Sequence, residues 1–172
     1  MDLRERFRHV LDYPVKGVDF IDITPVIQDA RAFQTAIDGM IQLVQDWQVD
    51  RIAACEARGF ILGAPLAYAL GTGLTLIRKQ GKLPYEKITQ RYALEYGNDQ
   101  LEIHTDAVRL GQRVMLVDDL LATGGTTRTS IQLIERLGGI VVGLVYLIEL
   151  TYLNGREKLS GYPVRSLITY DQ

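Results

Sequence analysis

One cysteine in 172 residues excludes an intrachain disulfide framework and fits a reducing compartment. Histidine is almost as scarce. His9 and His104 stand alone, without a partner at metal-ligand spacing, and are expected to be surface or structural residues. No apolar run approaches the ~18 residues of a membrane helix. The N-terminus, MDLRERFRHV, carries charges where a signal peptide needs apolar residues, so a soluble cytoplasmic protein is expected. Neither sign of charge dominates. A net charge of −2 gives no global pull toward nucleic acid or an anionic membrane, so any cations that bind polyphosphate must be local. There is no G-x-x-x-x-G-K-[ST], which excludes an NTPase P-loop, and Gly71 and Gly73 supply only a G-x-G. Low-complexity segments, repeats and linkers are also missing, and one domain over residues 1–172 is expected.

What is present is the string VMLVDDLLATGGTT, Val114 to Thr127. Four apolar residues suit a strand buried on both faces of a parallel sheet. Ligands of such sheets bind beyond the carboxyl ends of the strands, where Asp118 and Asp119 are expected. A carboxylate is an acceptor-only group suited to vicinal hydroxyls. In Ala122-Thr123-Gly124-Gly125-Thr126-Thr127 the glycines let the backbone approach a ligand, and the threonines add hydroxyl donors. The free N–H groups and dipole of the following helix favour an anion. Strand, acidic edge, anion cradle and helix together describe a sugar-phosphate site.

Around this string the pattern alternates. Leu3, Phe7, Val10 and Leu11 suggest a short amphipathic helix over 3–11, and residues 18–27 suggest an irregular loop. Phe33, Ile37, Met40, Ile41, Val44 and Trp47 predict a helix over about 30–47, with Trp47 as a core anchor. Strands are expected near 51–55, 74–78, 90–95, 100–104, 113–118 and 140–150, and helices near 59–70 and 127–137. Residues 79–87, polar and basic with Gly81 and Pro84, suit a mobile loop. This alternation argues an α/β fold with a mainly parallel sheet.

Several other residues could carry chemistry. Arg58 lies between a strand and a helix, where a guanidinium could grip a diphosphate or form a surface salt bridge. Arg78, Lys79 and Lys82 surround Gln80-Gly81 and form a local anion trap or a solvated loop. Cys55, in the apolar run IAAC, reads as an inert buried thiol.

VDDLLATGGTT resembles the phosphoribosyl-diphosphate (PRPP) binding motif of the type I phosphoribosyltransferases. GVDFIDITPVI (17–27), EARGFILGAPLAYALG (56–71), RKQGKLP (78–84), ALEYGNDQLEIHTDAV (93–108) and LNGREKL (153–159) narrow the resemblance to the adenine phosphoribosyltransferases. It runs from about Tyr13 to about Leu159.

The resemblance implies the type I phosphoribosyltransferase fold, a mainly parallel twisted sheet flanked by helices. A small N-terminal hood at about 13–28 and a flexible catalytic loop belong to that fold. It implies a cis peptide between Glu56 and Ala57, and Glu95 as general acid/base with Tyr96 beside it in the loop. PRPP ribose and 5′-phosphate would be bound by Asp118, Asp119, Ala122, Thr123, Gly124, Gly125 and Thr126. Diphosphate would be bound by Arg58, Arg78, Lys79 and Lys82, with Mg2+ held mainly by substrate and water. Adenine would lie at Asp19, Phe20, Ile21 and Leu150. Many relatives read F-R-D where this chain reads Phe20-Ile21-Asp22, which leaves a backbone contact at Ile21 and removes a side-chain one. A homodimer is implied, as are small-molecule partners only. A transferase for hypoxanthine, guanine or xanthine, or a non-catalytic PRPP-sensing regulator, would carry a similar VDD–TGGT core. The regulator would need an output surface, which a chain of net charge −2 does not advertise.

Overall fold

The computed structural model describes residues 1–93 and 98–171. Residues 1–39 and 40–172 are two compact units.

In the first unit, β1 (Arg8–Leu11) pairs antiparallel with β2 (Asp19–Asp22). Two expectations are corrected here. Residues 3–11 are not a helix: one 3-10 turn, Arg4–Arg6, leads into β1. Leu3 and Phe7 are buried but Leu11 is 73% exposed, so the apolar spacing did not mark one face. Residues 18–27 are not irregular, since they hold β2 and the helix α1 (Thr24–Gln28). Complementary side chains sit across the pair: Arg8 Nη1 is 3.4 Å from Asp22 Oδ2, and His9 Nδ1 is 2.7 Å from Asp19 Oδ2. Such pairing is long-range and leaves no periodicity to read. Asp22 Oδ1 also accepts the Thr24 N–H at 2.9 Å, at the start of α1. Helix α2 (Ala30–Val44) is opened by Asp29, whose Oδ1 accepts the Ala32 N–H at 2.8 Å. That bond is the main reason the Asp29 carboxyl is held below its ordinary pKa.

The second unit runs β3 (Arg51–Cys55), α3 (Arg58–Leu70), β4 (Gly73–Lys79), β5 (Lys87–Ala93), β6 (Asn98–His104), β7 (Arg113–Leu121), α4 (Gly125–Arg136), β8 (Ile140–Leu150) and β9 (Val164–Tyr170). The sheet order is β5-β6-β4-β3-β7-β8-β9. From β4 to β9 neighbours are parallel, while β6 and β5 add an antiparallel hairpin. The α/β architecture is the expected one, and β9 is an addition to it. The loop expected at 79–87 is the turn at 80–86, and the strands expected near 90–95 and 100–104 are the two arms of this hairpin, β5 and β6. Trp47 lies past the end of α2, against Gly143 of β8 and under the Arg165 guanidinium, 4.7 Å from the ring centroid.

Along β3, alternate residues face opposite ways. Ala54 faces α3, where a Cβ on Gly63 would lie 3.0 Å from the Ala54 Cβ. Ala53 and Cys55, with Val114 and Leu116 of β7, pack with Ile131, Leu133 and Ile134 of α4. The two helices therefore cover opposite faces. Each buried aliphatic side chain contributes about 2 kcal/mol, against at most about 1 kcal/mol for a surface ion pair, so this core holds the sheet.

The connections reverse between β3 and β7. Strand β3 crosses through α3 to β4 on one side, and β7 crosses through α4 to β8 on the other. That reversal is a topological switch point, and it opens a crevice at the carboxyl ends of both strands.

Candidate active site

A cleft of about 490 Å3 occupies this crevice. Its walls include Cys55, Glu56, Ala57 and Arg58 after β3, Asp118 to Thr127 after β7, Lys79, Tyr92 and Leu101. Glu56–Ala57 is a cis peptide, as expected.

The two aspartates lie within β7, not beyond it, because β7 continues alongside β8 to Leu121↔Glu149. Beside β3, pairing stops at Ala54↔Val117, so the cleft begins at Asp118. The two carboxylates differ. Asp118 keeps some surface toward the cleft, but protein packs closely around its carboxyl; a Cβ on Gly59 would lie 2.9 Å from its Oδ1. That desolvation, with the neighbouring Asp119 charge next, raises the Asp118 pKa well above the ordinary carboxylate value. Asp119 is nearly covered, and its Oδ2 accepts from Arg58 Nε. The Asp119 N–H donates to Asp118 Oδ1 at 2.9 Å.

The loop expected to cradle phosphate, Ala122 to Thr126, turns at Gly124. Its φ of +80° is in the left-handed region, and a Cβ there would meet the Gly155 carbonyl oxygen at 2.6 Å. Gly155 in turn packs on the Ala122 carbonyl. The LNGREKL segment, which includes Gly155, is therefore a buttress behind the loop. Its physical role was not visible from the string itself. Gly125 begins α4 and has open space where a Cβ would be, so its N–H belongs to the helix end that favours an anion. Thr127 departs from expectation. Its hydroxyl is 2.7 Å from the Tyr146 hydroxyl in the buried core, so Thr123 and Thr126 are the hydroxyls left for the cleft.

Strand alternation divides the basic residues. Lys79 is on the cleft wall, 3.8 Å from Asp99 Oδ2, and its N–H donates to Glu56 Oε1 at 2.5 Å. Arg78, on the other face of β4, has Nε 3.5 Å from Glu56 Oε1 and does not line the cleft. Lys82 is exposed in the 80–86 turn and does not line it either. Leu150 is buried at the end of β8, outside the cleft wall. Asp19, Phe20 and Ile21 belong to the first unit, where Phe20 stacks edge-on to Tyr13 at 5.3 Å. Glu95 and Tyr96 lie outside the described residues. Cys55 touches the cleft, but burial, aided by the nearby Asp118 and Glu56 charges, pushes its thiol up to about 12, which keeps it protonated and inert. Among the described residues, no group of three His, Cys, Asp or Glu side chains could hold a metal by itself. No described helix is long and apolar enough to cross a membrane.

The phosphoribosyl transferase domain family matches residues 26–169. Adenine phosphoribosyltransferase of Caldicellulosiruptor saccharolyticus is 58% identical over 99% of this chain and 98% of its own length. That of Acetivibrio thermocellus is 57% identical over 99% of this chain and 100% of its own. The solved structure of the Thermoanaerobacter pseudethanolicus adenine phosphoribosyltransferase superposes with a TM-score of 0.96 at 54% identity, covering 98% of each chain. The Saccharomyces cerevisiae enzyme, solved with an imino-altritol bisphosphate and adenine, gives 0.90 at 36% identity over 96% of each chain.

Proposed function

The chain belongs to the phosphoribosyl transferase family, and we infer that it transfers the phosphoribosyl group of PRPP to adenine, giving AMP and diphosphate. One observation carries this. A single cleft combines a carboxylate pair, a phosphate loop at a helix N-terminus and the cations Arg58 and Lys79, in a chain 58% identical to an adenine phosphoribosyltransferase along nearly its whole length.

In this mechanism the 5′-phosphate takes the N–H groups of Ala122 to Thr126 and the Thr123 and Thr126 hydroxyls. Asp118 and Asp119 hold the 2′ and 3′ hydroxyls. Burial raises the Asp118 pKa and makes it the harder carboxyl to ionise, while Asp119, paired with Arg58, lies near the cation that builds on the ribose ring. Diphosphate leaves C1 of the ribose as the adenine nitrogen attacks from the opposite face. Arg58 and Lys79 take up its charge, with Lys82 of the basic turn and Arg78 at the end of β4 as the further cations of the proposal. The cleft's adjacent carboxylates, without a third protein ligand among the described residues, suit a Mg2+ held mostly by diphosphate and water, which would neutralise leaving charge.

Asp19, Phe20, Ile21 and Leu150 form the adenine side of the proposal. Strand β2 is paired on one edge only, so alternate backbone groups of Asp19–Asp22 point away from their partner strand and could read the base without an Arg at Ile21. Phe20 supplies an aromatic face for stacking. The one unpaired, buried thiol supports a cytoplasmic setting, and the family resemblance supports a homodimer.

The test is AMP formation from adenine, PRPP and Mg2+, with hypoxanthine, guanine and xanthine as controls. AMP is expected from adenine alone, and turnover of another base in its place would overturn the assignment. Glu95 enters as the group that exchanges a proton with the base. Its signature is a limb of the pH–turnover profile that the wild type shows and Glu95→Gln lacks; superimposable profiles would remove Glu95 from that role.

A further inference from the structure

Glu56 puts a carboxylate on the cleft wall beside Arg58 and Lys79, the cations assigned to the leaving diphosphate. A carboxylate turned toward that ligand would repel it. The fold turns it onto β4. The Glu56 N–H donates to the Ile77 carbonyl at 3.0 Å, which carries the parallel β3–β4 ladder one residue past Cys55↔Ile77. The next donor of that ladder is the Lys79 N–H, and Glu56 accepts it with its side chain: Oε1 lies 2.5 Å from the Lys79 nitrogen. The same Oε1 is 3.5 Å from Nε of Arg78, a buried donor with no hydrogen bond among the described residues. The Glu56 side chain is 14% exposed, so water competes little for these contacts. The two residues after Lys79 are held from the other side. The Gln80 N–H donates to the Gln100 carbonyl at 3.2 Å, and the Gly81 N–H to Glu102 Oε2 at 3.1 Å. Three consecutive N–H groups of the basic segment are therefore fixed, two from β6 and the first from the loop that leads to Arg58. Beyond that first bond the Lys79 side chain joins the cleft wall, with Nζ 3.8 Å from Asp99 Oδ2.

We propose that Glu56 is a positioning residue for the diphosphate of PRPP: through the Lys79 N–H, its carboxylate fixes the end of β4 against the loop that carries Arg58, so that both cations meet one ligand. This rests on the phosphoribosyltransferase assignment of the cleft. Without Glu56 the two bonds from β6 remain, so the basic segment keeps its turn and loses its registration on Arg58.

The experiment compares wild type, Glu56→Ala and Glu56→Gln. Inorganic diphosphate with Mg2+, followed by calorimetry, should bind about ten-fold more weakly to Glu56→Ala, the effect of losing one hydrogen bond to a charged acceptor. Glu56→Gln keeps an oxygen for the Lys79 N–H and should stay within about two-fold of wild type. Ribose 5-phosphate, which carries no diphosphate, should bind all three proteins alike. In steady state, Glu56→Ala should raise the KM for PRPP about ten-fold and leave the KM for adenine unchanged. Because Glu56 acts through Lys79, adding Glu56→Ala to Lys79→Met should cost little further. Should Glu56→Ala not fold, Glu56→Asp decides: it keeps the charge, falls one methylene short of the Lys79 N–H and should bind diphosphate about five-fold more weakly. Wild-type diphosphate binding by Glu56→Ala or Glu56→Asp would overturn the proposal. So would an equal loss in Glu56→Gln, which would mean that the charge itself meets the ligand, or an equal loss of ribose 5-phosphate, which would mean that the whole cleft has loosened. If the wild type makes no AMP, the catalytic assignment fails by itself, while the diphosphate measurement still decides on Glu56.

Discussion

Asp119→Asn is expected to lower kcat/KM for PRPP about 100-fold while costing no more than about 1 kcal/mol of stability. The two numbers have different origins. Asparagine keeps the size of the side chain and one oxygen that can still accept from Arg58 Nε. What it loses in the folded protein is an ion pair whose guanidinium is 51% exposed, and such pairs contribute little. The reaction asks more of the same charge. Positive charge grows on the ribose ring, and burial makes the Asp118 carboxyl resist carrying a negative charge. Asp119, which Arg58 holds in place, is then the carboxyl on which the developing cation depends more, in a cleft where a fixed charge is screened less than in water. Steady-state kinetics against PRPP, set beside a thermal melt, test this. Activity per folded molecule close to wild type would show that the ribose does not depend on this carboxylate. Asp118→Asn should be milder, since a neutral amide replaces a group already driven toward its neutral form.

That inequality marks where the sequence stops being informative. Two adjacent aspartates in VDD look equivalent in one dimension. Gly59 packing on Asp118 and Arg58 pairing with Asp119 separate them, and both partners come from the other side of the switch point. What was legible rested on continuous apolar runs. IAAC and IVVGLVYLIEL mark β3 and β8 within a residue, and the helix after EARG begins at Arg58, one residue early. What was not legible rested on partners far away in the chain. Strands β1 and β2 are held by backbone pairing and by polar side chains across the pair, so their residues carry no apolar alternation. Strand β9 is half-buried at the edge of the sheet and follows two short 3-10 turns that give no boundary signal. The TGGT loop was visible, but its support by Gly155 appears only when the chain returns after β8. Tyr92 was hidden for the same reason: its hydroxyl is held by Asp99 across the hairpin, and the strand that carries it meets the cleft only in the fold.

Arg156→Ala is the second large effect, and it acts through that returning segment. Arg156 Nε and Nη2 donate to Glu149 Oε1 and Oε2 at 2.6 and 2.7 Å, and Ser166 Oγ donates to Oε2 at 2.6 Å. The Glu149 side chain is 3% exposed and that of Arg156 51%, so the pair is half in water and half out of it. Truncation leaves the buried member behind, with only Ser166 of these donors, and stranding a buried charge costs about 3 kcal/mol. Urea unfolding at pH 7 should show that loss, and an unchanged midpoint would refute it. Glu149→Gln combined with Arg156→Ala should recover much of it, because a neutral amide can be satisfied by Ser166. The pH dependence has a definite sign. The Arg156 hydrogen bonds hold the Glu149 pKa below its ordinary value, so the stabilisation is complete above the unfolded carboxylate value of about 4.3 and is lost as pH falls through the lower folded one. The gap between wild type and Arg156→Ala should therefore close in acid. A functional consequence follows from position. Gly155, next to Arg156, stands against Ala122 and Gly124, so loosening this segment removes the wall behind the phosphate loop. The same variant should weaken ribose 5-phosphate binding even at temperatures where it remains folded, which makes a salt bridge outside the cleft wall part of how the cleft holds its substrate.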